Sequence, residues 1–111
     1  MKNTNVIYEN DLISIVNEDG RISMFDSDGV YIDYFFYEDC YDEFEIPNMI
    51  NNIVEMVKDK SEKEICKYID FEFSPLKVEP ECTAEDIAEL REQWGDEWVC
   101  RVGSTAIILR E

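Results

Sequence analysis

A chain of 111 residues with 45% hydrophobic and 13% aromatic content holds one domain, residues 1–111, and has apolar residues enough for one packed core. Twenty-seven acids against ten bases leave a formal charge of −17, and histidine is absent. That balance argues against direct binding to nucleic acid or an anionic membrane, where phosphates would be repelled. Without histidine, neither a Ser-His-Asp nor a Cys-His nucleophile can be assembled.

Residues 12–37 are organised as an antiparallel meander. Leu12–Val16 and Arg21–Phe25 are β-rich runs separated by Asn17-Glu18-Asp19-Gly20, whose Asp-Gly pair tolerates the positive φ of a tight hairpin turn. A second pair, Asp28-Gly29, separates Phe25 from the run Val30–Tyr37, and Val6–Tyr8 is a candidate strand ahead of the others. From Ile46 the period changes. Pro47 suits a first helical turn, and Met49, Ile50, Ile53, Val54 and Val57 follow as an apolar stripe at helical spacing. Ser61 with Glu64 is a capping-box pattern before Ile65, Tyr68 and Ile69, and predicts a second helix. Phe71–Pro75 breaks that pattern and reads as an extended edge segment. Thr83, with Asp86 three residues on, caps a third helix whose inward residues are Ile87, Leu90 and Trp94 and which Gly95 ends. The tail alternates again, Trp98–Val102 and Thr105–Leu109 about a Gly103-Ser104 turn, which predicts a C-terminal hairpin. The expected class is therefore α+β: an antiparallel meander of three to four strands plus a C-terminal β-hairpin, with three helices packed on one face.

The charge is uneven along this plan. Residues 1–46 hold 12 acids and 2 bases, whereas residues 47–80 hold 7 and 5, and residues 81–111 hold 8 and 3. The densest run follows the third predicted strand: Glu38, Asp39, Asp42, Glu43 and Glu45 are interleaved with Tyr37, Tyr41 and Phe44. In a meander, the first turn lies at the same end of the sheet as the exit from the third strand. Glu18 and Asp19 are thus expected beside Glu38, Asp39, Asp42 and Glu43, with Asp26 and Asp28 at the opposite end beside Glu9 and Asp11. The candidate partner-binding surface is Glu18, Asp19, Tyr37, Glu38, Asp39, Tyr41, Asp42, Glu43 and Glu45. Gathered carboxylates focus field toward a basic partner, and exposed tyrosines suit protein interfaces. The competing reading is that these acids only keep the sheet soluble and its edges unpaired. The residues alone leave both open.

Other chemistry finds no support. No GxGxxG, GxxxxGK[ST] or GxSxG occurs, and among 27 acids a chance carboxylate pair is expected, so no catalytic residue is singled out. Asp26-Ser-Asp-Gly29 places its glycine too early for a calcium loop, and strand residues follow it. The cysteines, Cys40, Cys66, Cys82 and Cys100, form no CxxC pair and read as four separate thiols, of which Cys40 is expected to be exposed. No cofactor and no metal are expected. The N-terminus lacks the apolar core of a signal peptide, and a cytosolic location is expected.

In size, extreme acidity, α+β plan and Asp/Glu-rich turns such as Asn17–Gly20 and Tyr37–Glu43, the chain resembles small acidic inhibitors encoded by phages and mobile elements, notably DNA-mimicking anti-CRISPR proteins. The resemblance implies a non-enzymatic inhibitor whose carboxylates stand where phosphates would stand in the basic channel of a nucleic-acid-handling protein. An RNA-guided CRISPR nuclease is the favoured target. Arg and Lys donate to carboxylate and phosphate oxygens with similar geometry. An immunity protein or antitoxin against a basic toxin nuclease needs the same face. An accessory domain whose acidity serves solubility alone is the remaining alternative.

Overall fold

Strands β1 (Thr4–Glu9), β2 (Ile13–Glu18), β3 (Arg21–Asp26) and β4 (Tyr31–Tyr37) pair antiparallel in sequence order in the computed structural model, which describes residues 4–109. The first Asp-Gly turn acts as its residues dictate. Glu18 faces Arg21, leaving a two-residue loop in which Asp19 and Gly20 take φ of 51° and 88°. Both are left-handed, as the turn that matches strand twist requires, and Asn17 Oδ1 accepts the Gly20 N–H at 2.8 Å.

One face of this sheet forms the main core. Ile13, Ile15, Ile22, Met24, Ile32 and Phe36 pack there against Ile53 and Val57 of α1 (Ile46–Val57) and against Ile65, Cys66 and Ile69 of α2 (Glu62–Phe73). The expected stripe of α1 is the face that packs, with Met49, Ile50 and Val54 partly buried beside Ile53. Ser61 closes its capping box: its hydroxyl accepts from Glu64 N at 3.2 Å, and Glu64 accepts from Ser61 N at 3.0 Å.

A second sheet contains β5 (Lys77–Glu79), β6 (Val99–Val102) and β7 (Thr105–Ile108) in the order β5-β7-β6. The β6–β7 hairpin is the expected one. β5 is additional, a three-residue strand ahead of Pro80 whose pairing with β7 is long-range and leaves no local trace. All four residues of β7 are buried. Ile107 faces the main core, while Ala106 and Ile108 face α3 (Ala84–Trp94) with Ile87, Leu90 and Trp94. A central strand covered on both faces needs no polar alternation.

Two local readings are corrected. Phe71–Phe73 is not extended: α2 continues through Phe73 and stops at Ser74, whose φ of 45° is left-handed, just before Pro75. Phe73 is held by edge-to-face packing on Phe35 and Tyr68, at centroid distances of 5.3 and 6.1 Å, which supports the last turn. Trp98 does not begin a strand. It closes a one-turn helix, Asp96–Trp98, with its N–H on Gly95 O at 3.1 Å, and β6 starts at Val99.

Asp26 joins the two sheets. Its side chain is fully buried at the end of β3, and Oδ1 accepts the N–H groups of Asp28 and Val30 at 2.9 and 2.7 Å. Oδ2 accepts the Arg101 N–H at 2.8 Å from the free edge of β6, and the Arg91 guanidinium of α3 at 3.3 Å. The carboxylate therefore stands where the next strand's carbonyl would stand.

Candidate functional site

The acidic segment folds against the first turn of the meander. Glu38 N donates to Gly20 O at 2.8 Å, and Asn17 Nδ2 donates to Glu38 Oε1 at 2.7 Å. These two bonds bring the β2–β3 turn to the exit of β4, as the meander topology requires. Asp26 lies at the other end, lining a shallow cavity with Glu9 and Asp11.

Beyond Tyr37 the strand ends, since Glu38-Asp39-Cys40 has neither β-branched nor aromatic residues to favour it. Glu38–Cys40 forms one helical turn, closed by Tyr41 N on Glu38 O at 3.1 Å. The Tyr41 ring anchors that turn edge-on against Phe36, with centroids 5.5 Å apart. A second turn follows, Glu45 N on Asp42 O at 2.9 Å, and leads into α1.

Of the nine candidate residues, Asp19, Tyr37, Asp39, Tyr41, Asp42, Glu43 and Glu45 are exposed, and Glu18 and Glu38 are half-buried. Glu18 pairs with Arg21 at 3.1 Å. Phe44, in the middle of the run, is 85% exposed.

Cations reach only some of the meander's acids. Between Arg21 and Lys58 the sequence has nine acids and no base. Two of the nine, Asp26 and Asp28, are met by distant cations: Arg91 lies 3.1 Å from Asp28 Oδ2 and Arg101 lies 3.9 Å from it. Among the described residues, no lysine or arginine pairs with Asp39, Asp42, Glu43 or Glu45. Their field is left to solvent or to a partner.

Asp26-Ser-Asp-Gly29 is a structural turn rather than a calcium loop, because its carboxylates are engaged by backbone N–H groups and two arginines. Among the described residues, no three His, Cys, Asp or Glu side chains converge as a metal site. Cys40 is exposed, Cys66 and Cys100 are buried, and burial pushes both buried thiols up from their ordinary pKa. No helix among the described residues is long and apolar enough to cross a membrane.

One part of this surface escaped the sequence reading. Strict alternation along β4 would group residues 31, 33, 35 and 37 on one face. Two register shifts opposite β3 instead pair Tyr31 with Phe25, Tyr34 with Ser23 and Tyr37 with Arg21. The tyrosines thus line the outer face of the sheet at three-residue spacing, away from Ile22 and Met24. The Arg21 guanidinium lies there 4.9 Å from the Tyr31 ring centroid. A bulge has no residue signature in this strand, so periodicity alone could not have found it.

Compared with protein families, with curated proteins and with solved structures, the chain gives no significant match.

Proposed function

We propose that the chain is a non-enzymatic inhibitor that binds a basic, nucleic-acid-handling protein and blocks its nucleic-acid site by phosphate mimicry. The favoured target is an RNA-guided CRISPR nuclease. The observation that supports this reading most is the run Asp39–Glu45, a set of exposed carboxylates with no cation from the described residues beside them, folded onto one end of the sheet with Tyr37 and Tyr41. The arginines of α3 and β6 go to Asp26 and Asp28 at the other end of the sheet. Carboxylates on a rigid turn can meet the fork of an arginine in two-point contact, as phosphates do.

Affinity capture at low and moderate salt tests the reading, with the wild-type chain and the quadruple variant Glu38→Gln, Asp39→Asn, Asp42→Asn, Glu43→Gln as paired baits. The expected outcome is a nucleic-acid-binding protein on the wild-type bait, released by DNA or by salt. Four surface ion pairs with the partner at about 0.7 kcal/mol each amount to roughly a hundredfold loss for the variant. Equal behaviour of the two baits would leave the acids a role in solubility only.

A further inference from the structure

We infer that the outer face of the meander is part of the docking surface, and that its occupant is an arginine-bearing segment of the basic partner seated on the Tyr34–Tyr37 ring pair. This rests on the reading of the acidic end as a docking site for a basic protein. Among the described residues no helix or second sheet packs on this face: α1 and α2 lie on the other side, with Ile22 and Met24. Tyr34 and Tyr37 are each 43% exposed, with ring centroids 5.0 Å apart and planes at 54°. Glu38 follows Tyr37 directly, and Asp39 follows Glu38.

The face already holds one arginine of the chain's own, which shows the chemistry it accepts. Arg21 is stacked over Tyr31 at 4.9 Å and paired with Glu18 at 3.1 Å. Tyr34 and Tyr37 offer ring faces of the same kind, next in the chain to the acidic run that begins at Glu38. Beneath them, Ser23 Oγ is fully buried on the same outer face and has no hydrogen-bond partner. A planar guanidinium stacks on a ring while keeping its in-plane N–H groups for carboxylates. An ammonium is a compact, strongly hydrated point charge with no planar fork and does both less well, so this face favours arginine over lysine, which the acidic run alone would not.

The test titrates the isotope-labelled full chain with hexa-arginine and, separately, with hexa-lysine, equal in charge, and reads affinity and backbone amide shifts. The expected result is that hexa-arginine binds roughly five- to tenfold more tightly. It shifts Ser23, Tyr34 and Tyr37, whereas hexa-lysine shifts only residues of the Glu38–Glu45 run. The double variant Tyr34→Ala, Tyr37→Ala should remove the arginine preference and leave hexa-lysine affinity within about twofold. Tyr34→Phe, Tyr37→Phe keeps the rings and should keep the preference. Equal affinities in the wild type, or a preference that survives loss of both rings, would overturn the inference and leave the acidic docking site standing. Failure of both peptides to bind would overturn the two together. The amide shifts need no variant, so a misfolded double alanine does not remove the test.

Discussion

Asp26 is the residue on which the join between the two sheets depends. Asp26→Ala orphans the N–H groups of Val30 and Arg101 and removes one of the two carboxylates at Arg91. Removing one partner from a buried charged network costs about 3–5 kcal/mol, so urea unfolding should show the loss as a lower midpoint. Burial raises the Asp26 pKa above its ordinary value of 3.8, against the opposing pull of the backbone N–H groups of Val30, Arg101 and Asp28. Between 3.8 and the raised value the folded chain holds more protons than the unfolded one. This contribution to stability is therefore complete below 3.8 and is lost as pH rises through the folded value. Asp26→Asn cannot titrate, and its denaturation midpoint should lack that part of the pH slope. None of this was legible at Asp26 itself, which in the sequence is one acid of a turn among several. Its partners, Arg91 and Arg101, lie 65 and 75 positions away. The exposure of Cys40 and the burial of Ile53 and Val57, in contrast, followed from neighbours within a few residues.

At the level of elements, local chemistry was the most readable layer. Both capping boxes formed at the residues that signalled them, Ser61 with Glu64 and Thr83 with Asp86. Ser61→Ala should cost about 1 kcal/mol, seen as a lower thermal midpoint, because Glu64 N loses its acceptor at the start of α2. Gly103 was read as part of a turn, and the fold adds a second constraint. At its φ of +61° an added Cβ would run into the Glu62 carboxylate, which accepts from Ser104 N. Gly103→Ala should therefore cost about 1–2 kcal/mol from backbone handedness alone, and more once Glu62 is displaced. The elements that were misread depend on distant contacts. The last turn of α2 rests on Phe73 against Phe35, β5 exists only through β7, and the tyrosine face of β4 depends on where β3 lets it bulge. Periodicity describes an element taken alone, and these three are set by what lies across from them.

For the whole molecule, a charge of −17 makes salt act in two directions. The compact state is opposed by its own repulsion, and within the ionic cluster the Asp26 carboxylate itself is sheltered from solvent. Raising salt from about 0.02 M to about 0.2 M shortens the screening length severalfold, so the melting temperature of the free chain should rise. A fall on the same titration would mean that ion pairs outweigh repulsion. Binding through the acidic end should move the opposite way and weaken with salt. The α+β plan and the concentration of acid in the meander were visible in the sequence, and the topology of two Asp-Gly turns sufficed to bring Gly20 to Glu38. The addition of β5 to the C-terminal hairpin and the aromatic outer face were not visible there. The central claim is that the carboxylates of Asp39–Glu45 occupy a nucleic-acid site, and competition measures it most directly. The captured partner is loaded with fluorescently labelled nucleic acid, and the chain is titrated in while anisotropy is followed. The account predicts displacement at one chain per site, weakened by salt and lost in the quadruple Glu38, Asp39, Asp42 and Glu43 variant. Simultaneous binding of chain and nucleic acid, with neither altering the affinity of the other, would contradict it.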